Sequence, residues 1–323
     1  FFSATMTVLV TGANGFIGSH LCEYLVAKGY EVRAMVRRTS NLQWLEGLKV
    51  QLTYGDLNDV SSLTTAVQGV SGVFHTAAVV RAKNGEEFRQ VNYEGTKALT
   101  RVAADAGVKS FVLFSSVAAV GPVKAGEVID VTKSPEPVSD YGRAKLAAEN
   151  AVLEFQKLMK VVILRLPAVY GPRDRDGLLL WQTFQKGWAP VFGGSFSLVF
   201  VGDVVRAAVL ALEKPIPSGA IYFISDGNCY NYEAVAREWE KITGRKVNRI
   251  KVPFLAGLIF ARMYSWLKRE GTIFNPDKIR ELSQECWVCA DPRAKTELGF
   301  EPEFDLCRGG EITLRWYKEK GWI

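Results

Sequence analysis

Val8-Leu9-Val10-Thr11-Gly12-Ala13-Asn14-Gly15-Phe16-Ile17-Gly18 is the stretch on which the fold turns. An apolar run of strand character, Thr7 to Val10, leads straight into glycines at 12, 15 and 18. A helical pattern follows, with Ile17, Leu21, Leu25 and Val26 on one face and Lys28-Gly29 at its end. Gly12 permits the tight turn. Gly15 lets the backbone approach a pyrophosphate, and Gly18 lets the helix pack on the strand. The helix N-terminus then offers unpaired N–H groups and a partial positive charge to an anion. A glycine triplet alone is weak. At the first strand-to-helix crossover it predicts a dinucleotide site, with Gly12, Asn14, Gly15, Phe16, Ile17 and Gly18 as its first contacts.

Outward from this unit, strand-like runs recur at Val32–Val36, Val50–Tyr54, Gly72–His75, Ser110–Ser115 and Val161–Leu166, with helical segments between most of them. Strands alternating with helices predict βαβ units and a parallel sheet. Near-continuously apolar strands such as Phe111–Phe114 fit burial on both faces. The expected fold class is α/β: a Rossmann-type doubly wound parallel sheet over 1–170, with ligands beyond the carboxyl ends of the strands. After Gly171 the elements shorten, interrupted by Gly187, Pro190, Gly193, Gly194, Pro215 and Pro217. Residues 171–323 are expected to form a smaller, discontinuous C-terminal substrate lobe. The chain is expected to return to the sheet near 202–214, with Asp203–Leu212 helical, and to leave regular βαβ units from Ile221 onward. Asp291-Pro292 reads as an N-cap followed by proline at the first helical position. Ile312–Lys320 reads as a terminal amphipathic helix.

Composition narrows the function. Of 323 residues, 48% are hydrophobic and 23% charged, which excludes disorder and low-complexity architecture. The 40 basic and 34 acidic residues give +6 with no Lys/Arg tract, so nucleic acid is not an expected partner. The five cysteines (Cys22, Cys229, Cys286, Cys289, Cys307) are odd in number and widely spaced. They point to a reducing, cytoplasmic setting and not to a disulfide framework. Cys286 and Cys289 form one CxxC, but no second Cys/His pair of suitable spacing completes a zinc site. No metal is expected, and the pair reads as small apolar residues on a short strand around Trp287 and Val288. Met6 reads as the natural start, with Phe1–Thr5 an appended remnant. The apolar run Val252–Leu267 contains Arg262 and is too short to span a bilayer. It reads as a helix of the lobe; the less favoured alternative is a helix lying on a membrane surface, which would make the protein peripheral to it.

Cofactor type is read at the end of the second strand, where an NAD site usually places a carboxylate for the ribose 2′-hydroxyl. Here Arg37 and Arg38 stand instead, followed by Thr39 and Ser40. A guanidinium makes paired hydrogen bonds to phosphate oxygens, so NADP(H) is preferred, with NAD(H) the alternative. Chemistry is read from Tyr141 and Lys145, four apart in a helical pattern and therefore on one face. A free phenol is a poor base at neutral pH; a nearby ammonium and a cationic nicotinamide ring favour its phenolate. Ser115-Ser116 ends the fifth strand-like run, where a hydroxyl can hold a reacting oxygen beside the tyrosine. His75 reads as a packed strand-end residue.

With these motifs assembled, the chain resembles the extended short-chain dehydrogenase/reductase family. The resemblance is carried by TGANGFIG at 11–18, Gly55-Asp56-Leu57, His75-Thr76-Ala77-Ala78, Val91-Asn92, SSVAAVG at 115–121, YGRAK at 141–145 and RLPAVYGP at 165–172. The stretch from Asp291 to Phe300 resembles the family's C-terminal region, so the likeness runs along nearly the whole chain. It implies that Asp56 and Leu57 contact the adenine, that Thr76, Ala77 and Ala78 line the cofactor path, and that Asn92 supports the active-site backbone. It implies Ser116 as the residue orienting the substrate oxygen, Tyr141 as acid/base, Lys145 on the nicotinamide ribose, and Pro167 and Ala168 against the nicotinamide. A homodimer through helices near Glu87–Ala106 and Tyr141–Lys157 is also implied.

Members acting on nucleotide sugars commonly carry Asn where this chain has Ala168, and Arg-Asp where it has Phe196-Ser197. Both departures remove polar groups suited to a diphosphate. The lobe is rich in aromatics: Trp181, Phe184, Trp188, Phe192, Phe196, Phe254, Phe260, Tyr264 and Trp266. Some of these line an apolar pocket and others build the lobe's core. The sequence is most similar to the 3β-hydroxysteroid dehydrogenase and dihydroflavonol reductase branch. The expected function is NAD(P)-dependent interconversion of a ketone and a secondary alcohol on a small but bulky apolar substrate of steroid, flavonoid or alkyl-ketone type. A nucleotide-sugar epimerase or dehydratase with tightly held NAD is the alternative. A binding module without catalysis is disfavoured by the intact Ser-Tyr-Lys set.

Overall fold

A computed structural model describes residues 6–253 and 276–323. The remnant reading of Phe1–Thr5, and the membrane-surface reading of Val252–Leu267 beyond Pro253, lie outside the described residues. So do Phe254, Phe260, Tyr264 and Trp266.

Strands β1 (Thr7–Thr11), β2 (Glu31–Val36), β3 (Val50–Tyr54), β4 (Gly72–His75), β5 (Ser110–Ser116) and β6 (Lys160–Leu166) follow the apolar runs closely. They pair in parallel in the spatial order 3-2-1-4-5-6, and Ala220–Phe223 adds a seventh strand beyond β6. Val8, Leu9 and Val10 of β1 are fully buried, as are Phe111, Val112 and Leu113 of β5. Removing such a side chain from water stabilises by about 1.5–3 kcal/mol. Both sheet faces are covered because the crossover helices alternate sides.

The helix Phe16–Ala27 buries Leu21 and Leu25 against the sheet and packs Ile17 and Val26 at its margin. It ends where Gly29 takes φ +87, a left-handed conformation glycine adopts at little cost. β1 and β4 are neighbours in space but not in sequence. Chain order reverses between them, so a crevice opens at their carboxyl ends.

Beyond β6 the chain weaves. Ala168–Tyr170 pairs with Leu198–Phe200 in a separate ribbon. The helix Val201–Glu213 then packs back on the sheet, with Val204, Ala207, Ala208 and Ala211 in its core. The return is longer than the sequence reading placed it. Ala220–Phe223 is a sheet strand in register with Val162–Arg165, so regular parallel pairing continues past Ile221. Its four residues are too few to declare a sheet partner; β6 supplies the edge that orders them. Ala294, Leu298 and Phe300 also join this core.

The remaining elements enclose a second core of Trp181, Phe184, Trp239, Leu314 and Tyr317. Two short ribbons bound it, Trp188–Val191 with Asn248–Lys251 and Ser195–Phe196 with Cys286–Trp287. Asp291 caps the helix Pro292–Thr296 through the Arg293 N–H at 3.1 Å. The terminal helix is Leu306–Glu319, beginning earlier than its apolar stripe indicates because Asp305 caps it at the Arg308 N–H. Among the described residues, no helix is long and apolar enough to cross a membrane.

Candidate active site

One cleft of about 1960 Å³ runs along the carboxyl ends of the strands and under the smaller lobe. Its floor begins at the glycine loop. Gly12 has φ +66, and a Cβ there would stand 2.8 Å from Ala77 Cα. A Cβ on Gly18 would stand 2.2 Å from the Gly12 carbonyl oxygen, so helix and strand touch backbone to backbone. Gly15 is the N-cap and supplies no side-chain acceptor, which leaves first-turn N–H groups directed at the cleft. This cradle, with donors and no competing side chain, fits a dinucleotide pyrophosphate.

The ends of β1 and β4 are tied across the crevice. Thr76 Oγ1 donates to the Thr11 carbonyl at 2.7 Å, and the Ala77 N–H donates to Thr11 Oγ1 at 3.3 Å. His75 is buried between Thr11 Oγ1 at 2.7 Å and Thr96 Oγ1 at 2.9 Å, and burial lowers its pKa to about 3. It is a neutral packing residue.

Asp56, Leu57, Thr76, Ala77 and Ala78 all line the cleft, as do Pro167 and Ala168. Asn92 lies behind it. Its side chain both accepts from the Val79 N–H at 2.8 Å and donates to the Val79 carbonyl at 2.9 Å, holding the backbone beside Ala78. The two arginines separate. Arg37 lines the cleft, whereas Arg38 stacks over the Tyr54 ring at 5.0 Å and is not among the lining residues.

The serine pair also separates. Successive strand residues face opposite ways. Ser115 donates to Glu149 Oε1 at 2.5 Å inside a buried network with Arg165. Ser116 faces the cleft and caps a short turn at the Ala118 N–H. Tyr141 lines the same cleft, and the Ser116 hydroxyl draws its phenol pKa down.

Tyr141 sits in the first turn of the helix Asp140–Leu153, capped by Ser139. Its ring meets Phe88 edge-on at 5.7 Å. Lys145, one turn on, is buried and donates to the Phe114 carbonyl at 2.5 Å. Burial lowers its pKa to about 8, with Glu149 opposing. Among the protein groups, burial first and then the Glu281 carboxylate push the Tyr141 phenol up to about 12; Lys278 and Ser116 pull it down. Lys278 also lines the cleft and draws the phenol down, and sequence reasoning missed it.

The aromatic wall is thinner than its composition implies. Phe184 is core, Trp181 belongs to the core and also lines the cleft, and Trp188 is half-exposed outside it. Phe192 and Phe196 line the cleft and pack edge-on against Tyr232, each at 5.1 Å. Ser197 is buried and accepts from the Cys289 N–H at 3.1 Å. Tyr232, Asp277, Lys278 and Glu281 also reach the cleft, from segments with no motif around them, as does Trp287 from within the CxxC.

A family model described as the NAD dependent epimerase/dehydratase family matches residues 8–225. Sterol demethylase protein B of Methylococcus capsulatus is 34% identical, over 98% of this chain and 100% of that one. A 3-beta-hydroxysteroid dehydrogenase of Mycolicibacterium neoaurum is 30% identical, over 97% and 91% respectively. Among solved structures, MoeE5 in complex with UDP-glucuronic acid and NAD is 26% identical with a TM-score of 0.80, over 97% and 99%. The glycine cradle, the parallel sheet and the motif order along the chain agree with these likenesses: the chain belongs to the NAD dependent epimerase/dehydratase family, among the extended short-chain dehydrogenase/reductases.

Proposed function

We propose that the protein is an NADP(H)-preferring dehydrogenase/reductase that interconverts a secondary alcohol and a ketone on a bulky apolar, sterol-like substrate. The observation that carries this reading is the meeting of Ser116, Tyr141 and Lys145 at one end of the glycine-loop cleft. A nicotinamide dinucleotide, when bound, supplies the hydride acceptor or donor. Ser116 donates a hydrogen bond to the substrate oxygen. Tyr141 takes the proton from that oxygen in oxidation and returns it in reduction. Lys145, seated on the Phe114 carbonyl, would hold the ribose hydroxyls of that cofactor, and Arg37 would hold its 2′-phosphate.

The substrate class draws support from the similarity to a sterol demethylase protein and a 3-beta-hydroxysteroid dehydrogenase. It also draws support from the wall formed by Phe192, Phe196 and Tyr232. The nucleotide-sugar reading has the MoeE5 likeness in its favour. Against it, Ala168 and Phe196 offer no polar side chain, and two of the arginines that line the cleft are engaged by carboxylates, Arg81 with Asp176 and Arg173 with Glu23.

The test is turnover with NADPH and NADH against steroid, flavonoid and alkyl ketones. Tyr141→Phe is expected to lower turnover by about 10²- to 10⁴-fold while sparing NADPH binding. Undiminished turnover refutes the acid/base assignment, and thermal stabilisation by UDP-sugars alone refutes the substrate class.

A further inference from the structure

The helix Asp140–Leu153 begins with N–H groups that have no partner within the helix. Most of their partners come from elsewhere in the chain. Asp277, on the short helix Pro276–Leu282, accepts the Asp140 N–H at 2.9 Å through one carboxylate oxygen and the Tyr141 N–H at 3.2 Å through the other. Ser139 Oγ accepts the Gly142 N–H at 2.9 Å and donates to Glu281 Oε1 at 2.6 Å. The second oxygen of Glu281 accepts from Lys278 Nζ at 2.9 Å. Ser139 and Glu281 are buried. Negative charge at a helix N-terminus is favourable, so this is a docked cap and not an incidental contact.

The same short helix faces the cleft through Lys278 and Leu282. One turn of the smaller lobe therefore touches both the space for substrate and the backbone that carries Tyr141. The charged and titratable groups facing the phenol are Glu281 and Lys278 from this turn, Ser116 from β5, and Lys145 one turn along its own helix; Phe88 supplies the apolar side. Lys278 is also paired electrostatically with Tyr232.

We propose that Asp277 and Glu281 are positioning residues for Tyr141, through which the substrate lobe aligns the acid/base and supplies its charged neighbours. The proposal rests on Tyr141 being that acid/base. Glu281 opposes formation of the phenolate and Lys278 favours it, so the lobe holds both a brake and a release beside the phenol.

The test uses the full chain with tyrosine ring carbons labelled and NADP⁺ added. The Tyr141 resonance is assigned by its loss in Tyr141→Phe and followed against pH. Glu281→Gln is expected to move the Tyr141 titration down by about 0.5–1 pH unit and Lys278→Met to move it up by a similar amount. Glu281→Asp is expected to restore most of the wild-type midpoint. Asp277→Ala is expected to raise amide exchange at Tyr141 by about tenfold, with the far end of the helix unchanged. Should Glu281→Gln be unable to fold, Lys278→Met still decides the sign. Midpoints that coincide with wild type in the folded variants overturn the proposal. A Tyr141→Phe variant with full turnover of a 3β-hydroxysteroid overturns the acid/base reading instead, so the two failures are distinct.

Discussion

Glu149→Leu is expected to destabilise the fold severely, whereas deleting the whole network around it is not. The Glu149 side chain is 1% exposed and that of Arg165 is 6% exposed. Arg165 donates to both carboxylate oxygens, at 2.8 and 3.1 Å, and Ser115 donates at 2.5 Å. The guanidinium also lies over the Phe223 ring at 5.4 Å. Helix, β5, β6 and the last sheet strand thus meet at one buried pair. Removing only the carboxylate leaves a guanidinium that cannot shed its proton in a dry site, which costs about 3–5 kcal/mol. The combination Ser115→Ala, Glu149→Leu, Arg165→Met removes hydroxyl and both charges together. Replacing a buried pair by apolar groups of similar volume is close to neutral, so this variant should fall within about 1–2 kcal/mol of wild type. Urea unfolding followed by circular dichroism, with equal m-values across the series, measures both. A single-variant cost below about 1 kcal/mol, or a triple variant as unstable as the single, refutes the reasoning.

Gly18→Ala is expected to cost about 1–3 kcal/mol and to weaken NADPH binding, because its Cβ meets the backbone oxygen of Gly12 and neither backbone can yield; an unchanged melting temperature with unchanged NADPH affinity contradicts this. Acid is expected to destabilise the protein through His75. Its pKa falls from 6.5 to about 3 on folding, so the unfolded chain binds the extra proton. The stability this group contributes is complete above pH 6.5 and is lost progressively as pH falls towards 3. At pH 5 the loss is about 2 kcal/mol. His75→Asn should flatten the slope of unfolding free energy between pH 7 and 5 by that amount; parallel slopes would disprove it.

The candidate site divides by distance along the chain. The glycine cradle was legible because its parts lie within one turn of one another. Strand, tight turn and helix start impose their demands on Gly12, Gly15 and Gly18 locally, and no distant partner can relax them. The Tyr141–Lys145 spacing was legible for the same reason: helical periodicity is a property of adjacent residues. Arg37 and Arg38 read alike in sequence, yet one faces the cleft and the other stacks on Tyr54, a neighbour supplied by β3.

Long-range packing settled the rest. Ser115 and Ser116 are chemically identical neighbours, and it is Glu149, thirty-four positions later, that takes one inward and leaves the other for Tyr141. Ala220–Phe223 becomes a sheet strand because β6 offers an open edge. Asp277 and Glu281 are ordinary carboxylates one helical turn apart until folding sets them on the start of the Tyr141 helix. Steric rules act between residues joined by a few bonds and can be read along the chain. Electrostatic partners and hydrogen-bond caps act through space, and only the packed sheet and lobe bring those groups within 3 Å or so of one another.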